Sequence, residues 1–182
     1  MIGWNEEVKS ELKSCGTNVH IGHNVIIVNP SKVSLGNNVR IDPFTLITGS
    51  LTTGNNVHIC SHVVLGSTEG ITLGDWTFVG YGSKLFTASE DYSGKYGPVN
   101  DFWGHNKVFK GPIEFKKYSG VASDVVVFPG VTLPEGCTIG ASSMVRNRPL
   151  EEYSVYFGSP LELVKRRDKE AVQRLAAEWC DG

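Results

Sequence analysis

The chain has 182 residues, enough for one domain with a sizeable core. With 40% hydrophobic residues, 20% charged residues and a net charge of −2, it has the balance of a globular protein and no basic field for nucleic acid or an anionic membrane. Cys15, Cys60, Cys137 and Cys180 form no C-x-x-C pair and no metal-finger spacing, so they read as reduced thiols of a cytoplasmic protein, and no metal is expected. The opening "MIGWNEEVKSELKS" is polar and acidic rather than a signal peptide. No apolar run approaches the roughly 20 residues of a membrane helix.

Residues 1–18 read as a lead-in, a short helix or irregular segment with Val8 and Leu12 on one apolar edge. A repeat then begins and fills 19–150. Stepping by six gives Ile21, Ile27 and Val33; after a skip of two come Leu35, Ile41, Ile47, Thr53, Ile59, Leu65 and Ile71; after another, Leu73, Val79 and Leu85. The beat stops over about 87–112 and resumes at Phe115, Val121, Val127, Leu133, Ile139 and Val145. Thr53 alone is polar. Four residues after each beat the side chains are mostly small or β-branched: Val25, Ser31, Val39, Thr45, Val57, Val63, Thr77, Ser83, Ser119, Val125, Val131, Cys137 and Ser143. Residues 151–182 form a tail, with a helix from Pro160 that carries Val164, Val172, Leu175 and Trp179 near one face.

A helix would beat at 3.6 and a simple amphipathic strand at two. A beat of six fits a short strand and a tight corner, repeated, with the large residue inside a narrow coil and the small one beside it. Stacked rungs of this kind bury a continuous core, so the fold class is an all-β solenoid. "GHN", "GNN", "GNN" and "GDW" read as corners in which Gly and Asn accept positive φ. His23 lies in one and reads as a solvated turn residue. The interrupting stretch is rich in Gly, Asp, Asn and aromatic residues, including Tyr92, Tyr96, Phe102 and Trp103. A long loop in a compact fold is usually functional, and these aromatics suit it to pack over a rung and enclose a pocket.

From Val19 to Arg167 the pattern resembles the hexapeptide-repeat acyltransferases. "FPGVTLPEGCTIGASSMV" followed by "YFGSPLELVKRR" is similar to the last coil and exit of the sugar and galactoside acetyltransferases. "TASEDYSG" followed by "GPV" is closer to the branch that N-acylates nucleotide-linked amino sugars, including anthrose-type enzymes. The resemblance implies a left-handed parallel β-helix with one long inserted loop and a C-terminal α-helix, a homotrimer with sites between subunits, acetyl-CoA or another acyl-CoA as co-substrate, and a small-molecule sugar as acceptor.

It also implies residues. Glu90 stands where galactoside-type enzymes keep a catalytic His, followed by Asp91. A carboxylate is a poor base for a hydroxyl, with an ordinary pKa of about 4.3, but can hold and orient an ammonium group. The pair therefore favours an amine acceptor and is the catalytic candidate. His58 and His62 flank the inward Ile59 and Val63 and should point outward; with Cys60, Tyr92, Trp103 and His105 they form the acceptor-binding set. Ser123 and Ala141 fall at donor contacts, and Arg146 and Lys165 where basic residues meet the nucleotide phosphates. A backbone N–H near Ser123 would hold the oxyanion. The cluster Lys165, Arg166 and Arg167 has a second reading, as a solvated face. Other functions stay open: an O-acetyltransferase with His62 or His105 as base, a γ-carbonic-anhydrase-like metal enzyme, and a non-catalytic solenoid. The anhydrases need a His pair with four intervening residues and a third His; His58 and His62 have three between them and no third partner.

Overall fold

The computed structural model describes residues 7–95 and 107–180. The six-residue beat is the stride from one face of a three-sided coil to the next. The first face stacks Ser14–Cys15, Val33–Leu35, Leu51–Thr53, Ile71–Leu73, Ile113–Phe115 and Thr132–Leu133. The second stacks His20–Ile21, Val39–Ile41, Val57–Ile59, Phe78–Val79, Gly120–Val121, Thr138–Ile139 and Ser154–Phe157. The third stacks Ile26–Ile27, Leu46–Ile47, Val64–Gly66, Lys84–Phe86, Val126–Val127 and Met144–Val145. Within each face these strands pair in parallel, giving a solenoid of about seven turns. Register keeps like over like: Ile21, Ile41, Ile59, Val79, Val121 and Ile139 form one continuous column.

Every beat residue is buried except Ile27, which is only partly so because it ends the third face and no earlier coil covers it. Thr53, the polar beat, is buried too, and its Oγ1 accepts a hydrogen bond from Gly36 N at 3.1 Å. The small residues are buried as expected with the exception of Ser31, exposed on the 3-10 turn Pro30–Lys32. That turn absorbs the first skip: Cys15 pairs with Leu35, 20 positions on, whereas Val33 pairs with Leu51, 18 on.

The glycines after the beat serve a different purpose from the one expected. Gly36 and Gly80 are not at positive φ. A Cβ on Gly36 would lie 2.3 Å from Gly54 O, and one on Gly80 2.4 Å from the Ala122 carbonyl carbon. They are needed because the next coil passes so close. Positive φ falls on Asn24, Asn38 and Asn56, and also on Phe44, His62, Trp76, Tyr118, Asp124 and Ser142. Asn18 Nδ2 donates to Asn38 Oδ1 at 2.9 Å and Asn38 Nδ2 to Asn56 Oδ1 at 3.0 Å, so one corner carries its own side-chain ladder.

Both ends depart from expectation. After the 3-10 helix Glu7–Glu11, Ser14–Cys15 already pairs with Ser34–Leu35, so the coil starts before residue 19. Val8 and Leu12 do pack on the core. The helix expected from Pro160 begins only at Lys169 and runs to Cys180. Before it, Glu162–Arg166 folds back antiparallel on Ser154–Phe157, so Val164 lies on an exposed strand. The last rung would otherwise leave an open sheet edge, and pairing with the chain's own tail outweighs helix propensity there. Asp168 caps the helix: its Oδ1 accepts from Ala171 N at 2.9 Å. Ala176 is buried against the coil, Trp179 sits 6.0 Å from Trp76 between ring centres, and Arg167 Nη1 donates to Tyr118 O and Gly136 O. No helix among the described residues is long and apolar enough to cross a membrane.

The insertion leaves after Phe86, at the corner between the third and first faces. Its two ends form an antiparallel ribbon, Ala88–Glu90 against Val108–Lys110. Gly111 N donates to Thr87 O at 3.0 Å, bringing the ends together, and the coil resumes with Leu73 paired to Phe115. A long excursion is thus accommodated without disturbing the stack.

Candidate functional site

The ribbon turns a flat face into a cleft. A space of about 570 Å³ is lined by Phe86, Ala88, Ser89, Glu90, Tyr92, Val108 and Phe128. Apart from Glu90 these lining residues, among those described, are uncharged and largely apolar. Asp91, the other catalytic candidate, is not among these lining residues. Its backbone N donates to Lys107 O, and its Oδ1 accepts from Ser93 N at 2.8 Å, closing an Asx turn at the ribbon's end. Hydrogen bonds from the Ser93 side chain and backbone hold its carboxyl below the ordinary range. Asp91 shapes the turn that presents Glu90. Trp103 and His105, with Tyr96 and Phe102, lie outside the described residues.

The remaining acceptor candidates stand elsewhere in this chain. His58 is on the outward side of the second face, with Nε2 2.8 Å from Asp42 Oδ2 and 3.9 Å from Cys60 Sγ. Cys60 is buried, and burial followed by the charge of Asp42 pushes its thiol pKa up. His62 is separate from both: it occupies the corner after the second face and stacks on Phe44 with ring centres 5.2 Å apart. His58 and His62 do point outward, but to different partners, which removes the geometry a histidine-pair metal site would need.

On the donor side, Ser123 and Ala141 stack on adjacent rungs at that same corner, where Ser142 N donates to Ser123 O at 2.9 Å. Arg146 lies just past the third face, its guanidinium carbon 5.6 Å from the Phe128 ring centre. Phe128 is also a wall of the Glu90 cleft, so it links Glu90 to Arg146 along the third face. Arg146 lines a second cleft of about 440 Å³ with Met144, Arg148, Ser159, Pro160 and Leu161. Lys165 lines a different groove on the second face, with Arg166, Arg167 and Val172. The basic cluster is divided in role: Arg166 pairs with Glu151 and Ser154, Arg167 is bound to main-chain carbonyls, and Lys165 is exposed.

Sequence reasoning missed three residues of these surroundings. Phe128 and Arg148 showed no signal beyond residue type. Asp42 did: it follows beat residue Ile41 at a position that is Gly after Ile21, Leu35, Thr53, Leu65, Leu73, Val79 and Ile139.

No family model matches the chain. Along its whole length it is similar to AntD, an N-acyltransferase from Bacillus cereus solved in complex with dTDP and 3-hydroxybutyryl-CoA: 31% identity, TM-score 0.91, 100% of this chain and 98% of that one. It is 28% identical over 166 residues to dTDP-4-amino-4,6-dideoxy-D-glucose acyltransferase of Escherichia coli, covering 88% of this chain and 85% of the relative. It is 30% identical over 135 residues to the putative colanic acid biosynthesis acetyltransferase WcaF of Escherichia coli K12, covering 73% and 69%. The chain is a hexapeptide-repeat acyltransferase.

The acyltransferase concentrates its available chemistry on two edges of the coil. One carries the ribbon with Glu90. The other carries the Ser123–Ala141 corner, where Ser142 N ties one rung to Ser123 O of the next.

Proposed function

We propose that this acyltransferase moves an acyl group, acetyl or another short acyl, from acyl-coenzyme A to the amine of a nucleotide-linked amino sugar used in bacterial surface-glycan or related sugar biosynthesis. The observation that carries this is end-to-end likeness to an N-acyltransferase solved with dTDP and an acyl-CoA. The relative named for a dTDP-linked amino sugar supports it.

The cleft chemistry agrees. Glu90, with Asp91 beside it, holds and orients the sugar ammonium and passes its proton to water. The amine lone pair attacks the thioester carbon; the C–N bond forms, the C–S bond breaks, and the departing coenzyme A thiolate takes up the proton that the attacking nitrogen loses. A backbone N–H near Ser123 stabilises the oxyanion. Ser123 and Ala141 contact the pantetheine arm, and Arg146 and Lys165 the phosphates. Because Arg146 and Lys165 line separate grooves of one chain, a site using both takes them from adjacent subunits of a homotrimer. His58, Cys60, His62, Tyr92, Trp103 and His105 then meet the acceptor from both sides of that interface. Exposed Ile26, Val28, Phe44 and Tyr81, on the third face and its edges, supply apolar area for subunit contact. A cytoplasmic location follows from the substrates assigned.

Thiol release from acetyl-CoA and 3-hydroxybutyryl-CoA, with and without a dTDP-linked 4-amino sugar, tests the proposal. Sugar-dependent release is expected; release that the sugar does not accelerate contradicts it.

A further inference from the structure

Glycine follows seven of the beat residues, among them Ile21, Val79 and Ile139 of the second face. Two neighbouring rungs of the second face depart from this: Asp42 follows Ile41, and Cys60 follows Ile59. The register Ile41↔Ile59 stacks these strands directly. His58 turns its Nε2 toward both, 2.8 Å from Asp42 Oδ2 and 3.9 Å from Cys60 Sγ. The three donor atoms lie within 4.8 Å of one another. The Asp42 side chain is 3% exposed and Cys60 5%, so neither is a solvated surface group. The other Asp42 oxygen, Oδ1, accepts from Arg40 Nε at 2.6 Å, which fixes the carboxylate's orientation.

Both contacts fall on the same ring nitrogen. A thiol–imidazole–carboxylate relay needs its two partners on opposite nitrogens, so this cluster is not a nucleophilic triad. Its donors converge instead of forming a chain. Around a tetrahedral ion with bonds of about 2.0–2.3 Å, neighbouring donors sit about 3.4 Å apart. The contacts at 2.8 Å and 3.9 Å bracket that spacing, so small side-chain shifts bring these two pairs into range.

We propose that Asp42 Oδ2, His58 Nε2 and Cys60 Sγ bind a borderline-soft divalent transition-metal ion of the Zn²⁺ and Co²⁺ class. The oxygen, nitrogen and sulfur set selects against Mg²⁺ and Ca²⁺, which prefer oxygen alone. Three protein donors leave a fourth position for water or an incoming ligand. Arg40 orients the carboxylate from behind, as outer-shell partners do. Binding ties two successive coils together. The site shares none of the residues that line the Glu90 cleft within one chain, although His58 and Cys60 also belong to the acceptor contacts proposed above. Linear spacing gave no hint of it, because Asp42 and His58 are 16 positions apart and meet only through coil register.

The test uses the full-length protein, stripped with a chelator, desalted and titrated with Co²⁺. A thiolate-to-cobalt charge-transfer band is expected to saturate at one ion per chain, to be displaced by Zn²⁺ and to be unaffected by Mg²⁺. Cys60→Ser should abolish the band, whereas Cys15→Ser, at an exposed thiol outside the cluster, should leave it. His58→Gln, at a side chain that is 40% exposed, should weaken cobalt binding by at least the roughly 10–100-fold typical of losing an outer-shell partner. It keeps the test decisive if Cys60→Ser fails to fold. Absence of a saturable band, its survival in Cys60→Ser, or wild-type affinity in His58→Gln overturns the proposal. The cluster would then be a hydrogen-bonded imidazole–carboxylate pair beside a buried thiol. Sugar acylation is read separately, so failure here leaves the acyl-transfer proposal standing.

Discussion

Among the described residues, Glu90 is the only charged one lining the cleft under the ribbon, and its chemistry decides what acceptor the cleft suits. If it binds an ammonium group, Glu90→Gln removes the charge and keeps the shape. The rate loss should then shrink as pH rises, because more of the free amine is already deprotonated. A general base for a hydroxyl would instead cost about 10²–10⁴-fold, with little rescue by alkali. A pH–rate profile of wild type and Glu90→Gln on an amino sugar separates these outcomes. Donor contacts give a second check. Removing charge in Arg146→Ala or Lys165→Ala should weaken coenzyme A binding by roughly 1–2 kcal/mol each; unchanged affinity by calorimetry in both would remove the phosphate assignment. Tyr153 gives a stability check. Burial first, and its hydrogen bond to Glu135 second, push its pKa up to about 12 from an ordinary value of about 10. The folded state favours the neutral phenol, so this contribution is complete below pH 10 and is lost as pH climbs toward 12. Tyr153→Phe should flatten that alkaline decline in denaturant titrations.

Among the elements, the close stacking of rungs is the feature most exposed to substitution. Gly36→Ala would place a methyl against the Gly54 carbonyl oxygen of the next coil. Overpacking of this kind costs about 1–3 kcal/mol, to be read as a lowered denaturant midpoint with an unchanged slope. The beat made most of this architecture legible in the sequence, because a narrow coil admits one large inward residue per stride and Ile21, Ile41, Ile59 and Val79 obey that limit. What the sequence concealed depends on neighbours distant along the chain. Leu161 to Arg166 carry helix-compatible residues, yet the open edge at Ser154–Phe157 recruits that segment as strand. The role of Gly36 was misread because nothing local shows how near Gly54 passes.

For the whole molecule, the candidate site was legible only in part. The interruption of the beat marked where a cleft would form, and Glu90 does line it. Asp91, the other half of the pair, closes the turn beside it through Ser93. Asp42 escaped notice because its partner His58 is one rung away. Arg146 and Lys165 line separate grooves of one chain; if one donor site uses both from adjacent copies, light scattering at active concentrations should report a trimer, and an active monodisperse monomer would count against the shared site. The nature of the bond formed is the most direct test of all. The chain, an acyl-CoA and a dTDP-linked 4-amino sugar are incubated together, and the product is weighed by mass spectrometry before and after mild alkali. One added acyl group that survives alkali, as an amide does, is the expected result. No mass gain, or a gain that alkali removes as it would an ester, would contradict N-acyl transfer to the sugar amine.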